Sequence, residues 1–268
     1  MKRKDIDLLK DIAKVEPLTS RVVSRVPCLC IAVGHTGAGK SWKIVELIKR
    51  MQMERTITRL FIISPTAASN TIYKNIVREG DRVYDDLSPK IYASLEEIES
   101  VCKSEAYVYA HELKCAAAYL RYANGLPLDY PDTQLLEQIG WRQMIPKRPA
   151  FAVFADDCSH SALFSTSRKN PWSNFCLRCR HAGNGLGDSV FMVSQTMRSG
   201  VPKALRENAT HFFYVGGSMN RKEVESMWET VSSFVSFDDF ERKLRLFTLE
   251  NHGYLFCDLI KKTLSNRY

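Results

Sequence analysis

The residues with the most chemistry in them are Gly34-His35-Thr36-Gly37-Ala38-Gly39-Lys40-Ser41, a G-x-x-x-x-G-K-S spacing. Glycines let the backbone curl until its N–H groups point inward at a chain of phosphates. Lys40 supplies a point charge to the terminal phosphates, and the Ser41 hydroxyl is a hard oxygen ligand suited to Mg²⁺. An apolar run, Cys28–Val33, precedes the loop, and a helical pattern, Trp42 to Met51, follows it. The N-terminus of that helix adds its positive dipole end, and Trp42 joins the loop as a nucleotide-binding candidate. Strand, loop and helix together predict a nucleoside-triphosphate site.

A second run, Ala150–Ala155, ends in Asp156-Asp157. An apolar strand that ends in acids carries carboxylates to the C-terminal edge of an α/β sheet, where ligands bind. Asp156 is expected to hold Mg²⁺, mostly through water, and Asp157 to orient or deprotonate an attacking water, with the two roles open to exchange. Gln195 closes a third polar-ended run, Asp188–Gln195, and is placed to contact a γ-phosphate or the water. Arg180, with Arg178 as second choice, could reach a neighbouring subunit's γ-phosphate, or belong to a basic surface helix. Cys176-x-x-Cys179 with His181 has no second ligand pair at zinc spacing, so reduced thiols are expected there.

These groups need a sheet to position them. Cys28–Val33, Arg59–Ser64 and Ala150–Ala155 are continuous apolar runs, as in parallel strands buried on both faces. Further strands are expected over Asp188–Gln195, His211–Val215 and Gly253–Asp258, the last as a possible sheet edge, with amphipathic helices over Lys222–Phe234 and Phe237–Phe247. A helical excursion spans about 66–149, either as a partner-facing elaboration or as a plain layer on the sheet. Within it Lys90–Ala93 is expected as a short strand, and Ser94-Leu95-Glu96-Glu97 as the capping box of a helix running to Asn124 before Gly125 and Pro127. A short helix is expected near Thr133–Ile139. Residues 1–27 form an N-terminal arm or helix, and 28–268 one ATPase domain.

With 268 residues and 45% apolar composition, the chain can bury a core without disulfide or metal staples. It has no apolar run of membrane-spanning length, and its start, Met1-Lys2-Arg3-Lys4, lacks a signal-peptide core. A reducing compartment is expected, and Cys28, Cys30, Cys102, Cys115 and Cys257 read as buried thiols. Net charge is +8. Between Asp157 and Glu207 the only acid is Asp188, against Arg168, Lys169, Arg178, Arg180, Arg198, Lys203 and Arg206. That segment is a solvated basic face or a surface for a polyanion.

The combination of Gly34–Ser41, Phe154-Ala155-Asp156-Asp157, Arg178-x-Arg180-His181, Val193-Ser194-Gln195 and Arg198-x-x-Val201-Pro202-x-x-Leu205-Arg206-x-Asn208 resembles the viral genome-packaging ATPases of poxviruses, other large DNA viruses and virophages, within the FtsK–HerA superfamily. The likeness covers about residues 28–215. It implies a RecA-like P-loop ASCE NTPase: an α/β fold with a mainly parallel sheet flanked by helices, here with a helical insertion. It implies ATP and Mg²⁺ as cofactors and a ring of five or six copies of the chain. It also implies double-stranded DNA and capsid proteins as partners. Lys40, Ser41, Asp156, Asp157, Gln195 and Arg180 then take the catalytic and metal roles. The second acid is Asp157 where cellular members more often carry Glu, so a base here must sit closer.

The expected function is therefore a Mg²⁺-dependent ATPase that translocates duplex DNA into a capsid. It would work in the host cytoplasm or a viral factory, or within the virion. A helicase or other P-loop motor is the alternative enzyme. A nucleotide-switched scaffold with little turnover is the alternative of another class, and the acid pair with Gln195 argues against it.

Overall fold

The computed structural model describes residues 16–88, 90–158, 161–164, 170–217 and 220–268. Eight strands form one sheet in the order β3-β2-β4-β5-β1-β6-β7-β8. They span Leu29–Val33 (β1), Arg59–Ile63 (β2), Arg82–Tyr84 (β3), Phe151–Ala155 (β4), Asp188–Ser194 (β5), His211–Val215 (β6), Tyr254–Asp258 (β7) and Thr263–Ser265 (β8). From β3 across to β6 every pairing is parallel, and β7 and β8 are antiparallel additions.

The apolar runs of the sequence become central strands because both faces of the sheet are covered. Leu29, Ile31 and Val33 point to one core with Phe61, Val153, Val190 and Phe212. Cys30 and Ala32 point to the other with Ile62, Phe154, Phe191 and Phe213. This alternation is the period of two of a strand, with no polar face left over. Helix α1 (Lys40–Met53) covers the second face through Ile44, Leu47, Ile48 and Met51. The first face takes α2 (Ile91–Ala123), α4 (Pro171–Arg178), α5 (Lys203–Asn208), α6 (Arg221–Trp228) and α7 (Phe237–Phe247). Helix α3 (Tyr130–Gln138) packs against α2.

Several expectations are corrected. Lys90–Ala93 is not a strand: α2 begins at Ile91, whose side chain is fully buried against the sheet, so burial at helical spacing wins over the β-branched local signal. The capping box at Ser94 is also absent. The cap position is Lys90, Ser94 lies inside the first turn, and Glu97 pairs with Arg82 instead. Gly253–Asp258 does hold a strand, but not an edge one, because β8 pairs outside it. The helix expected from Lys222 ends at Trp228, followed by turns. Of the N-terminal arm, Ile6, Leu8, Leu9, Ile12 and Val15 lie outside the described residues, and 16–26 is irregular rather than helical.

The 66–149 excursion is more than a helical insertion. It contributes β3 to the sheet, and the first two-thirds of α2 is a core layer through Leu95, Ile98, Cys102, Ala106 and Ala110. Beyond that layer Cys115, Ala118 and Leu136 are still buried, while Leu120, Tyr122, Leu126 and Ile145 are exposed. The five cysteines expected to be buried are so, as are Cys158, Cys176 and Cys179. Burial pushes the Cys179 thiol up to about 11, and His181 beside it is exposed. No helix of the described residues is long and apolar enough to cross a membrane.

Candidate functional site

Parallel strands β4, β5 and β1 lie side by side, so their C-terminal ends open on one edge. Each end carries a loop from the sequence reading: Asp156-Asp157 after β4, Gln195 after β5, and the Gly-rich loop after β1. Thr36, Gly37, Lys40, Ser41, Asp156, Asp157 and Gln195 line one cleft of about 200 Å³ there. Ser41 and Asp156, 115 positions apart in the chain, thus meet at one edge of the sheet, and this agrees with the rule that ligands of open α/β sheets sit at the carboxyl ends of strands.

The loop is shaped by close approaches. A Cβ on Gly34 would fall on the Val215 carbonyl at the end of β6. Gly39 has φ +94 and takes α1's cap position in the left-handed region, with no side chain capping the helix. The amides of α1's first turn are thereby left to bind an anion. Lys40 is only 7% exposed, and its Nζ donates to the His35 carbonyl at 2.8 Å, across the loop. Burial lowers its pKa, and Asp156 and Asp157 oppose that by favouring the ammonium.

Asp156 is 2% exposed, and both its carboxylate oxygens are engaged. Ser41 Oγ donates to Oδ1 at 2.9 Å, and Tyr73 Oη donates to Oδ2 at 2.6 Å. Burial raises the carboxyl's pKa, and the Tyr73 and Ser41 hydrogen bonds pull it down. Asp157 follows at φ 54, a region that Asp tolerates better than most residues, and is exposed toward the cleft. Two carboxylates thus have different environments: one buried and anchored, one free to meet water.

The donor set fits Mg²⁺. Ser41 Oγ and Asp156 Oδ1 are hard oxygens 2.9 Å apart, close to the roughly 3 Å between neighbouring ligands of an octahedron with bonds of about 2.1 Å. These two would hold the ion, with Asp157 alongside. It would neutralise phosphate charge.

Tyr73, Thr66 and Asn70 complete the site, and no motif marked them. Thr66 and Asn70 line the cleft from the segment after β2, and Asn70 caps the turn Thr71–Asn75 that carries Tyr73. Their one sequence signal is position: Pro65 ends β2 on the edge where β4 ends. Tyr73 is further held by Ser64 Oγ at 3.2 Å and by an edge contact with Phe154, ring centroids 6.0 Å apart.

Arg180 is not in the cleft. It sits in the turn Cys179–His181 before β5, beside Pro27, Leu29 and Thr210, at the opposite edge of the sheet. Arg178 is turned to α2 and pairs with Glu99 at 3.4 Å. The basic segment does not gather into one patch. Arg168 and Lys169 lie outside the described residues, while Arg198, Lys203 and Arg206 line a separate groove with Glu207, Glu225 and Glu229. The loop after Gln195 is tied to that side, Met197 N donating to Glu223 at 2.7 Å.

No family model matches the sequence, and no curated protein does. The fold does match solved structures. The genome-packaging NTPase B204 from Sulfolobus turreted icosahedral virus 2, in complex with AMP, superposes with a TM-score of 0.52 at 11% identity, covering 90% of this chain and 96% of B204. The same protein in complex with ATP-gammaS gives 0.51 at 12% identity, over 90% and 96% of the two chains. B204, the DNA-packaging ATPase from Sulfolobus turreted icosahedral virus, gives 0.52 at 13%, over 89% and 96%. The chain therefore has the α/β, RecA-like fold of these P-loop ATPases.

Proposed function

We propose that the protein is a Mg²⁺-dependent ATPase that drives double-stranded DNA into a viral capsid, a packaging motor of the large-DNA-virus type. The observation that carries this is the cleft itself: Lys40, Ser41, Asp156, Asp157 and Gln195 converge on one sheet edge from three strands. The fold shared with a DNA-packaging ATPase solved with nucleotides supports the choice of work over other P-loop enzymes.

In this reading the amides of the Gly-rich loop and Lys40 bind and orient the phosphates. Ser41 and Asp156 would hold Mg²⁺, which would supply positive charge against the phosphates. Asp157, exposed beside the anchored Asp156, orients a water and takes its proton. Gln195 senses the terminal phosphate from the end of β5. Because Glu223 ties the next turn to α6, a shift at Gln195 reaches that helix directly.

Arg180 lies on the sheet edge away from its own cleft, a position suited to serving a neighbour's. A ring of five or six copies would supply such a neighbour, with DNA through its centre and a capsid protein as its dock. Host cytoplasm or a viral factory would be the place of work.

The test is the hydrolysis rate with duplex DNA, with single-stranded DNA and with none, each with and without a Mg²⁺ chelator. Stimulation by duplex DNA and loss with chelator are expected. A rate indifferent to DNA sinks the translocase and leaves a nucleotide-switched scaffold.

A further inference from the structure

The 200 Å³ cleft is too small for a whole nucleoside triphosphate, since sites for ligands of that size run from about 300 Å³ upward. A second cleft, of about 590 Å³, opens on the other side of α1's first turn. Lys40 and Ser41 face the first cleft, and Gly39, Trp42 and Lys43 face the second, so one stretch of backbone is the wall between them. A nucleotide with its terminal phosphate toward Asp157 and Gln195 must send its other end across this wall.

The second cleft has the surfaces a base needs. Trp42 is 52% exposed directly beside the loop, where a two-ring indole serves no core. Across from it is Tyr254 at the start of β7, and Lys43 Nζ lies 4.7 Å from the Trp42 ring centre and 4.5 Å from that of Tyr254. Asn251 and Asn266 add side-chain amides, the group that pairs with donor and acceptor edges of bases.

The far wall is fixed to the phosphate loop. His252, at φ 63, brings ring Nδ1 to 3.1 Å from the Ala38 carbonyl. The adjoining Gly253 carbonyl accepts from Gly216 N at 3.1 Å. The turn between α7 and β7 is thus docked on the loop by the chain's own contacts, which lowers the cost of ordering it on binding.

We propose that this cleft seats the purine base and ribose of the nucleotide, with Trp42 as its stacking face and Asn251 and Asn266 reading the base edge. The proposal rests on the ATP reading above and extends it to the C-terminal part of the chain, which carries no motif. The size of the cleft and of the indole favours a two-ring base over a pyrimidine.

The test is equilibrium binding of ATP, CTP and inorganic tripolyphosphate, each with Mg²⁺, to the full chain and to Trp42→Ala, Asn266→Ala and Lys40→Ala. Trp42 and Asn266 are exposed, so their variants should fold, and thermal melting checks it. Trp42→Ala is expected to weaken ATP by about tenfold, the scale of one lost base–aromatic stack, and to leave tripolyphosphate unchanged. Asn266→Ala should weaken ATP more modestly, CTP should bind less tightly than ATP to the unaltered chain, and Lys40→Ala should weaken all three ligands. The base seat is overturned if Trp42→Ala and Asn266→Ala bind ATP normally, if tripolyphosphate falls in step with ATP, or if CTP equals ATP. Tripolyphosphate binding that survives those outcomes leaves the phosphate site standing. Binding of neither ATP nor tripolyphosphate by the unaltered chain removes the phosphate site, and the base seat with it.

Discussion

Tyr73 Oη donates a 2.6 Å hydrogen bond to Asp156 Oδ2, opposite the Ser41 hydroxyl on Oδ1. The phenol belongs to a turn of the 66–149 excursion, so that segment holds a carboxylate of the site in place. Tyr73→Phe keeps the ring and its contact with Phe154 but removes a donor to the charged form of the acid. The Asp156 pKa should rise, and the acid limb of the hydrolysis pH profile should move to higher pH. A hydrogen bond to a charged group contributes about 1.5–3 kcal/mol, so kcat near the acid limb should fall by about tenfold or more. An unmoved pH profile would show that Tyr73 is only packing.

Lys40→Ala should abolish hydrolysis and leave the fold intact. Its Nζ donates to the loop's own His35 carbonyl and lies in the field of the two acids, at the cleft rather than within either hydrophobic core. Steady-state hydrolysis with thermal melting as control decides this, and full activity would overturn the site.

Arg180 and Asp157 lie on opposite edges of one sheet. If the arginine acts on a neighbour, Arg180→Ala should lose turnover more than ATP binding. Mixing it with Asp157→Asn should then recover part of the rate, because some interfaces pair an intact Arg180 with an intact Asp157. Absence of any recovery in the mixture points to another arginine, with Arg198 the first to examine.

Asp188 is fully buried at the start of β5, and among the described residues no N–H or O–H donor reaches either carboxylate oxygen. Burial pushes its pKa up to about 7, opposed by the neighbouring Cys102 thiol. The folded state therefore holds a proton that the unfolded chain releases above about pH 4. Stability should fall as pH rises from about 4 to 7 and level off above that. Asp188→Asn should raise Tm at pH 8, by on the order of 2 kcal/mol of stability, and by less at pH 5. Equal gains at both values would mean that the carboxyl is already ionised in the fold at pH 5, with no upward shift of its pKa.

The site was legible to the extent that its groups end strands. Apolar runs that stop in Gly-rich, Asp-Asp or Ser-Gln stretches announce both a buried parallel strand and what stands at its end, and Lys40, Ser41, Asp156, Asp157 and Gln195 were found that way. Tyr73 and His252 were not, because each acts from an irregular turn where no period or spacing marks a residue. The strand expected at Lys90–Ala93 failed for a related reason: in a four-residue window Ile91-Tyr92 looks extended, and only the sheet face beneath makes Ile91 the first buried turn of a long helix.

By itself the sequence determined the groups available: a Gly-rich loop with Lys40 and Ser41, two acids, a polar strand-end glutamine and a set of buried strands, since these depend on residue type and near-neighbour spacing. Tertiary structure decided which of them share a cleft. Strand order set β5 between β4 and β1, brought Tyr73 under Asp156, sent Arg180 to the far edge and docked the His252 turn on the loop. Strand order follows from packing two cores at once, a long-range property that local spacing does not encode.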